Sequence, residues 1–281
     1  MLEREKLKFS IILLVVCTTV GGLLTVFFQR FISFAPQTQT TSALSVAKVP
    51  ETGSVAYNPP TPQDAPAEIR EAVMLGYNIL NDPGKYASAY VGNPLRCSNC
   101  HLKAGLSQGG KNGGISLVGV GSVYPKFRKR QEFSVHLVTR TNDCFKRSMN
   151  GRPLPEDSRE MTAIVTYYAW ISKGLPIYGP VPWLGLPKIT STHTADTAAG
   201  KAVYAAKCAL CHGVGGDGTA TAPPVWGAKS FNDGAGMAKP ETLASFAQNN
   251  MPLGNPDLNV EQAIDVAAFV TTQSRPHFPQ K

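Results

Sequence analysis

Two five-residue stretches, CSNCH at 97–101 and CALCH at 208–212, set paired cysteines two residues apart with a histidine directly behind the second thiol. That spacing suits covalent haem attachment: both thiols add to the vinyl groups of the macrocycle and the histidine ligates the iron from one face. The macrocycle fixes the separation of the vinyl carbons and the metal, so the protein spacing must be equally rigid. A redox dithiol or half a zinc site also uses C-x-x-C, but neither explains an immediate histidine in both copies. The expected cofactors are two covalently attached c-type haems. Cys97, Cys100 and His101 would hold the first, and Cys208, Cys211 and His212 the second.

Each iron needs a sixth ligand, and that ligand sets the chemistry. In the second half NNMPLGNP offers Met251-Pro252, 39 residues after His212, with Met237 and nearby lysines as alternatives. A thioether favours ferrous iron and raises the potential, which suits electron transfer. The first half has no Met-Pro, and its candidates are His136, Cys144 and Met149. Of six cysteines four lie in the two motifs and Cys17 lies in an apolar run, which leaves Cys144 without a pairing partner. A thiolate stabilises ferric iron, and cationic neighbours lower a thiol's pKa. Residues 126–152 hold eight basic and two acidic side chains, whereas 195–275 hold five basic and seven acidic. Basicity concentrated around a thiol suits a small anionic substrate, which it steers and neutralises.

The elements that must position these groups are helical. The chain has 281 residues, 43% hydrophobic, with a formal charge of +8. Residues 9–28 are uncharged and apolar, long enough as a helix to span about 30 Å of hydrocarbon. Arg4, Lys6 and Lys8 precede this run, so residues 1–35 are expected to anchor the chain, with all that follows on the periplasmic side of the inner membrane. A signal peptide cleaved after SFA (33–35) is the alternative, giving a soluble periplasmic protein. Residues 36–65, rich in Pro, Thr, Ser, Ala and Gln, read as a flexible linker. Ile69, Val73, Tyr77 and Leu80 share one helix face, stopped by Pro83-Gly84, and Met161, Ile164, Val165, Tyr168 and Ile171 share another, ended by Gly174.

Residues 174–191 carry four prolines and read as a connector. A helix beginning near Asp196 runs into the second motif. A closing helix starts at Asn259, with Gln262 as capping-box partner and Val260, Ile264, Ala267 and Val270 on its apolar face. No convincing strand alternation appears. The expectation is an all-α chain of two class I cytochrome c-like domains in tandem, 66–186 carrying the catalytic haem and 187–281 the electron-transfer haem.

The stretches LRCSNCHLKAG (95–105) and NDCFKRSMNG (142–151), followed by a second CxxCH domain, resemble the dihaem thiosulfate dehydrogenases over about residues 66–275. The resemblance implies a periplasmic oxidoreductase that joins two thiosulfates into tetrathionate and passes two electrons to a cytochrome-type acceptor, or runs in reverse as a tetrathionate reductase. It implies Cys144 as distal thiolate ligand opposite His101, with Arg130, Arg140 and Ser148 holding the substrate anion. It also implies Met251 at the second iron. Some members place a lysine before this methionine and use it as a ligand when oxidised; here that position is Asn250, so Met251 is expected to stay bound in both states. Cys144 would also serve as a nucleophile, forming a transient sulfur adduct. Two other readings make different demands. A Cys-ligated haem subunit of a Sox-type complex requires a partner subunit, and a membrane-anchored dihaem electron carrier has no use for arginines around Cys144. Nucleic acid is not an expected partner, because aromatic residues are sparse among the basic ones.

Overall fold

The computed structural model describes residues 57–279, which belong to one compact unit. The expected anchor at 1–35 lies outside the described residues. Among those described, no helix is long and apolar enough to cross a membrane. Residues 36–56 of the expected linker also lie outside the described residues, and residues 57–65 are tied to the first half. Tyr57 donates its hydroxyl to the carbonyls of Ile171 and Lys173 and stacks on Trp183, Trp170 Nε1 donates to the Thr61 carbonyl at 2.7 Å, and Ala65 is fully buried. Two aromatic side chains thus fasten a segment whose own residues are mostly small and polar.

Six helices of eight residues or more organise the described chain. α1 (Ala67–Asn81) buries Val73, Gly76, Ile79 and Leu80, and Ile69 and Tyr77 pack at its margin. α2 (Leu137–Arg147) carries Cys144. α3 (Arg159–Trp170) starts at Ser158, whose hydroxyl accepts from Met161 N, and buries Met161, Ile164, Tyr167 and Tyr168. α4 (Thr197–Lys207) starts at Asp196, whose carboxylate accepts from the amides of Ala198 and Ala199, and it leads directly into Cys208. α5 (Pro240–Asn250) delivers Met251 at its C-terminus. α6 (Val260–Thr271) opens on the expected Asn259–Gln262 capping box. Its fully buried apolar face is Ala263, Val266, Ala267 and Val270, with Val260 and Ile264 at the edge.

The same device recurs in both halves. α1 crosses α3 at Gly76, where a Cβ would lie 2.3 Å from the Ala163 carbonyl oxygen. α4 crosses α6 at Gly200, where a Cβ would lie 2.0 Å from the Asp265 carbonyl oxygen. Glycine is the residue that lets two helix backbones approach this closely.

Three elements depart from the sequence expectation. A short antiparallel hairpin pairs β1 (Lys126–Arg128) with β2 (Phe133–Val135), Phe127 facing Ser134. Each strand is three residues, too short to show alternation. α2 lies in a segment to which the sequence pattern assigns no helix, because its buried positions include Thr141, Asn142 and Asp143 rather than an apolar stripe. The Asn142 amide makes this possible: Oδ1 accepts from Leu154 N at 2.8 Å and Nδ2 donates to Leu154 O at 3.0 Å. A buried polar side chain so paired replaces the apolar residue that helix periodicity looks for. α5 likewise buries Ser245 and Asn250 among its apolar residues.

The two halves are tied by a bridge. The glycine-rich loop 109–115 of the first half meets the α5 terminus of the second: Asn112 N donates to Asn249 O at 2.9 Å, Gly254 N donates to Asn112 Oδ1 at 2.9 Å, and Gly114 N donates to Asn250 Oδ1 at 2.7 Å. Asn250 is fully buried, and its Nδ2 donates back to Phe246 O.

Candidate active site

The first CxxCH motif forms a tight turn over Cys97–Asn99, and the imidazole that follows is oriented by the backbone. His101 Nδ1 lies 2.8 Å from the Ile115 carbonyl oxygen, so Nε2 is left for a metal. His212 is held the same way, Nδ1 lying 2.8 Å from the Pro223 carbonyl. Burial pulls the His212 pKa below the ordinary imidazole value, which keeps the ring neutral as a ligand must be.

The four motif cysteines carry no disulfide. Burial pushes the Cys97 thiol up strongly, Cys100 to about 12 and Cys208 to about 11. Unmodified, these three would be neutral apolar thiols, unlike the low-pKa nucleophile of a redox dithiol.

Cys144 behaves differently. Burial alone would raise its pKa, but the Arg140 charge and hydrogen bonds from His101 and Arg140 outweigh burial and bring it down to about 6. Arg140 sits one helical turn earlier on α2 and donates through Nη1 to Cys144 Sγ at 2.9 Å. The thiolate in turn holds Arg140 more firmly protonated. The His101 imidazole and the Cys144 sulfur thus face one another, each fixed by a separate partner. This pair of donors would suit a haem iron, which His101 and Cys144 would hold between them.

The other first-half candidates lie elsewhere. His136 is exposed at the N-cap of α2, and Met149 is a core residue 2% exposed, packed among apolar neighbours. In the second half Met251 packs with Cys208 around the cluster of Tyr204, Leu258 and Val266. Met237 is buried and lines the cavity that holds Cys144, on the first-half side. Asn250, in the place where a lysine would compete with Met251, has both ends of its amide engaged by backbone.

A cavity of about 1120 Å³ opens beside Cys144 and His101. Arg130, Arg140 and Ser148, the residues expected to hold an anion, all line it, and Arg128, Lys129, Arg147, Lys188 and Lys239 add to its basic wall. Asp143 and Glu241 are the acids among its lining residues. Of the basic run, Arg152 turns away, donating to Ala89 O and stacking on Tyr90. The second half helps hold this site. Asn232 N donates to Arg147 O at 3.1 Å and Asn232 Nδ2 to Lys146 O at 2.9 Å, capping the free carbonyls at the end of α2.

Two haem-ready motifs, each between the members of a helix pair crossed at glycine, define a dihaem c-type cytochrome. Residues 90–177 match the family described as SoxA/TsdA, cytochrome c domain, and residues 195–270 match cytochrome c oxidase, cbb3-type, subunit III. The chain therefore contains two cytochrome c domains, and its haems are covalently bound.

The relatives narrow the class. The chain is 37% identical to thiosulfate dehydrogenase of Allochromatium vinosum over 243 residues, covering 84% of this chain and 90% of that one. It is 38% identical to that of Stutzerimonas stutzeri over 236 residues, covering 81% and 76%. The fold matches thiosulfate dehydrogenase TsdBA of Marichromatium purpuratum with a TM-score of 0.74 at 29% identity, covering 80% of this chain and about half (51%) of that chain. The chain belongs to the thiosulfate dehydrogenase family.

Proposed function

We propose that this protein oxidises thiosulfate to tetrathionate at the Cys144 cavity and passes the electrons to a cytochrome-type acceptor through its second half. The observation that carries this reading is the half-buried Cys144 sulfur, facing His101 and paired with Arg140, in a cavity walled by cations. The relatives named above support it. Bound haems supply two one-electron acceptors, matching the two electrons released when two thiosulfate dianions become one tetrathionate dianion with a new S–S bond.

The chain's own residues supply the rest. Two dianions repel one another, and Arg130 and Arg140 offset that repulsion in a partly desolvated space where each charge counts for more than in water. Ser148 adds a hydroxyl donor at the C-terminal end of α2. Arg140 keeps the Cys144 sulfur deprotonated and directs it into the cavity. His101 and Cys144 would hold the first iron, and His212 and Met251 the second. A pure electron carrier would have no need for the thiolate or its arginines.

In this reading the chain is periplasmic, held at the inner membrane by residues 9–28. The first domain covers 66–186 and the second 187–281. Anaerobic addition of thiosulfate to the oxidised holoprotein should reduce its haems with tetrathionate accumulating. Cys144→Gly should keep both haems attached and abolish turnover; a fully active variant would refute a direct role for Cys144.

A further inference from the structure

Arg140 and Arg130 are not the only guanidinium groups at the cavity. Arg147, one turn beyond Cys144 on α2, lines the same space. Its Nη1 makes one long bond, 3.4 Å, to the Gly234 carbonyl, and its buried Nε has no hydrogen-bond partner, only a loose ion pair with Asp143 Oδ1 at 3.5 Å. A guanidinium has five N–H donors, so most of this one's capacity is unspent. Arg130 Nη1 donates to the same Gly234 oxygen at 3.1 Å, which brings the two cations together. Burial first and the Arg147 charge second lower the Arg130 pKa, against a smaller opposing pull from Asp143. A pair of crowded cations with spare donors is what a dianion would stabilise.

The plane of Arg147 is also fixed. Its guanidinium carbon lies 4.3 Å from the centre of the Phe278 ring, so one face is stacked and the edge that carries the donors is left for an anion. Phe278 is itself held: its amide donates to Asp233 Oδ1 at 2.7 Å, His277 Nδ1 lies 2.6 Å from Asp233 Oδ2, and Asp233 N donates to Pro276 O at 3.0 Å. Segment 276–278 is thus latched to the stretch 232–234 that caps α2.

We infer that Arg147 is a further substrate-binding residue, forming with Arg130 a clamp for thiosulfate, and that Phe278 and Asp233 are positioning residues that seat it. The inference rests on the proposed activity. Wild-type protein that fails to make tetrathionate would defeat that reading before any variant is compared.

The test is steady-state thiosulfate oxidation by the holoenzyme with an artificial one-electron acceptor, using Arg147→Gln, Arg147→Lys, Phe278→Leu and Phe278→Tyr. Losing a charge-assisted contact should raise KM for Arg147→Gln about tenfold or more, with kcat within about threefold and haem spectra unchanged. Arg147→Lys should recover part of the loss. Phe278→Leu should raise KM about threefold through the lost ring face, and Phe278→Tyr should restore it. Calorimetric binding of sulfate, an unreactive dianion, to the oxidised holoenzyme should weaken in the same order. A KM and a sulfate affinity within about twofold of wild type in Arg147→Gln would overturn the clamp. Should that variant not fold, an unchanged KM in Phe278→Leu would overturn the seating.

Discussion

Arg140→Gln isolates the contribution of one charge to the state of Cys144. In the wild type, burial opposes ionisation of the thiol, and Arg140 with His101 overcomes it to leave the pKa at about 6. The Nη1–Sγ contact of 2.9 Å is a charge-assisted hydrogen bond in a half-buried site. Such bonds contribute about 1.5–3 kcal/mol, and 1.4 kcal/mol corresponds to about one pH unit. Glutamine removes the charge and its shorter amide stops short of the place of Nη1, so the midpoint at which Cys144 takes up a proton should rise by about one to two pH units. The sign follows from which form is working. The thiolate is present above the midpoint and lost as pH falls through it, so the acid limb of kcat/KM should move toward neutral pH and some activity should return in alkali. Arg140 also lines the cavity, so kcat/KM at its best pH should still fall about tenfold to a hundredfold. The assay is a pH series of thiosulfate oxidation by holoenzyme, with Arg140→Lys as the charge-retaining control. An acid limb displaced by less than about half a pH unit would show that Arg140 does not stabilise the thiolate.

Other expectations test the scaffold. Asn250→Ala leaves the Gly114 amide without an acceptor in a buried place, and should lower unfolding free energy by about 1–3 kcal/mol in a denaturant titration. Gly200→Ala forces α4 away from the Asp265 carbonyl, and a cost of about 1–3 kcal/mol should appear as an earlier unfolding midpoint; an unchanged midpoint would mean the crossing is looser than it looks. His193 is hydrogen-bonded to Asp265, which raises its pKa. The stability it adds is present below the unfolded value and fades as pH rises through the folded one, and Asp265→Asn should lower the His193 midpoint in an NMR titration.

Much of the haem chemistry was legible because it is local. Cys97, Cys100 and His101 lie within five residues, as do Cys208, Cys211 and His212, and the Asn259–Gln262 cap spans one turn. The helix that carries Cys144 was not, since Asn142 and Asp143 occupy buried positions that periodicity assigns to apolar residues. Nor could Arg147 be separated from its neighbours Lys146 and Arg152 by charge alone. What distinguishes it is Gly234 and Phe278, distant in sequence and brought near only by the fold.

The bridge between loop 109–115 and Asn249, Asn250 and Gly254 bears on how such proteins change over generations. Tandem domains that merely sit side by side can be exchanged by recombination, each drifting at its own pace. Here a graft of a foreign cytochrome domain in place of the second half would strip the Gly114 amide of its acceptor and disturb the segment whose Ile115 carbonyl aims His101. A replacement at position 250 is thus filtered in the other half of the molecule. The bridge couples substitutions across the two halves, so natural variation at 112, 114 and 250 should arrive in matched sets.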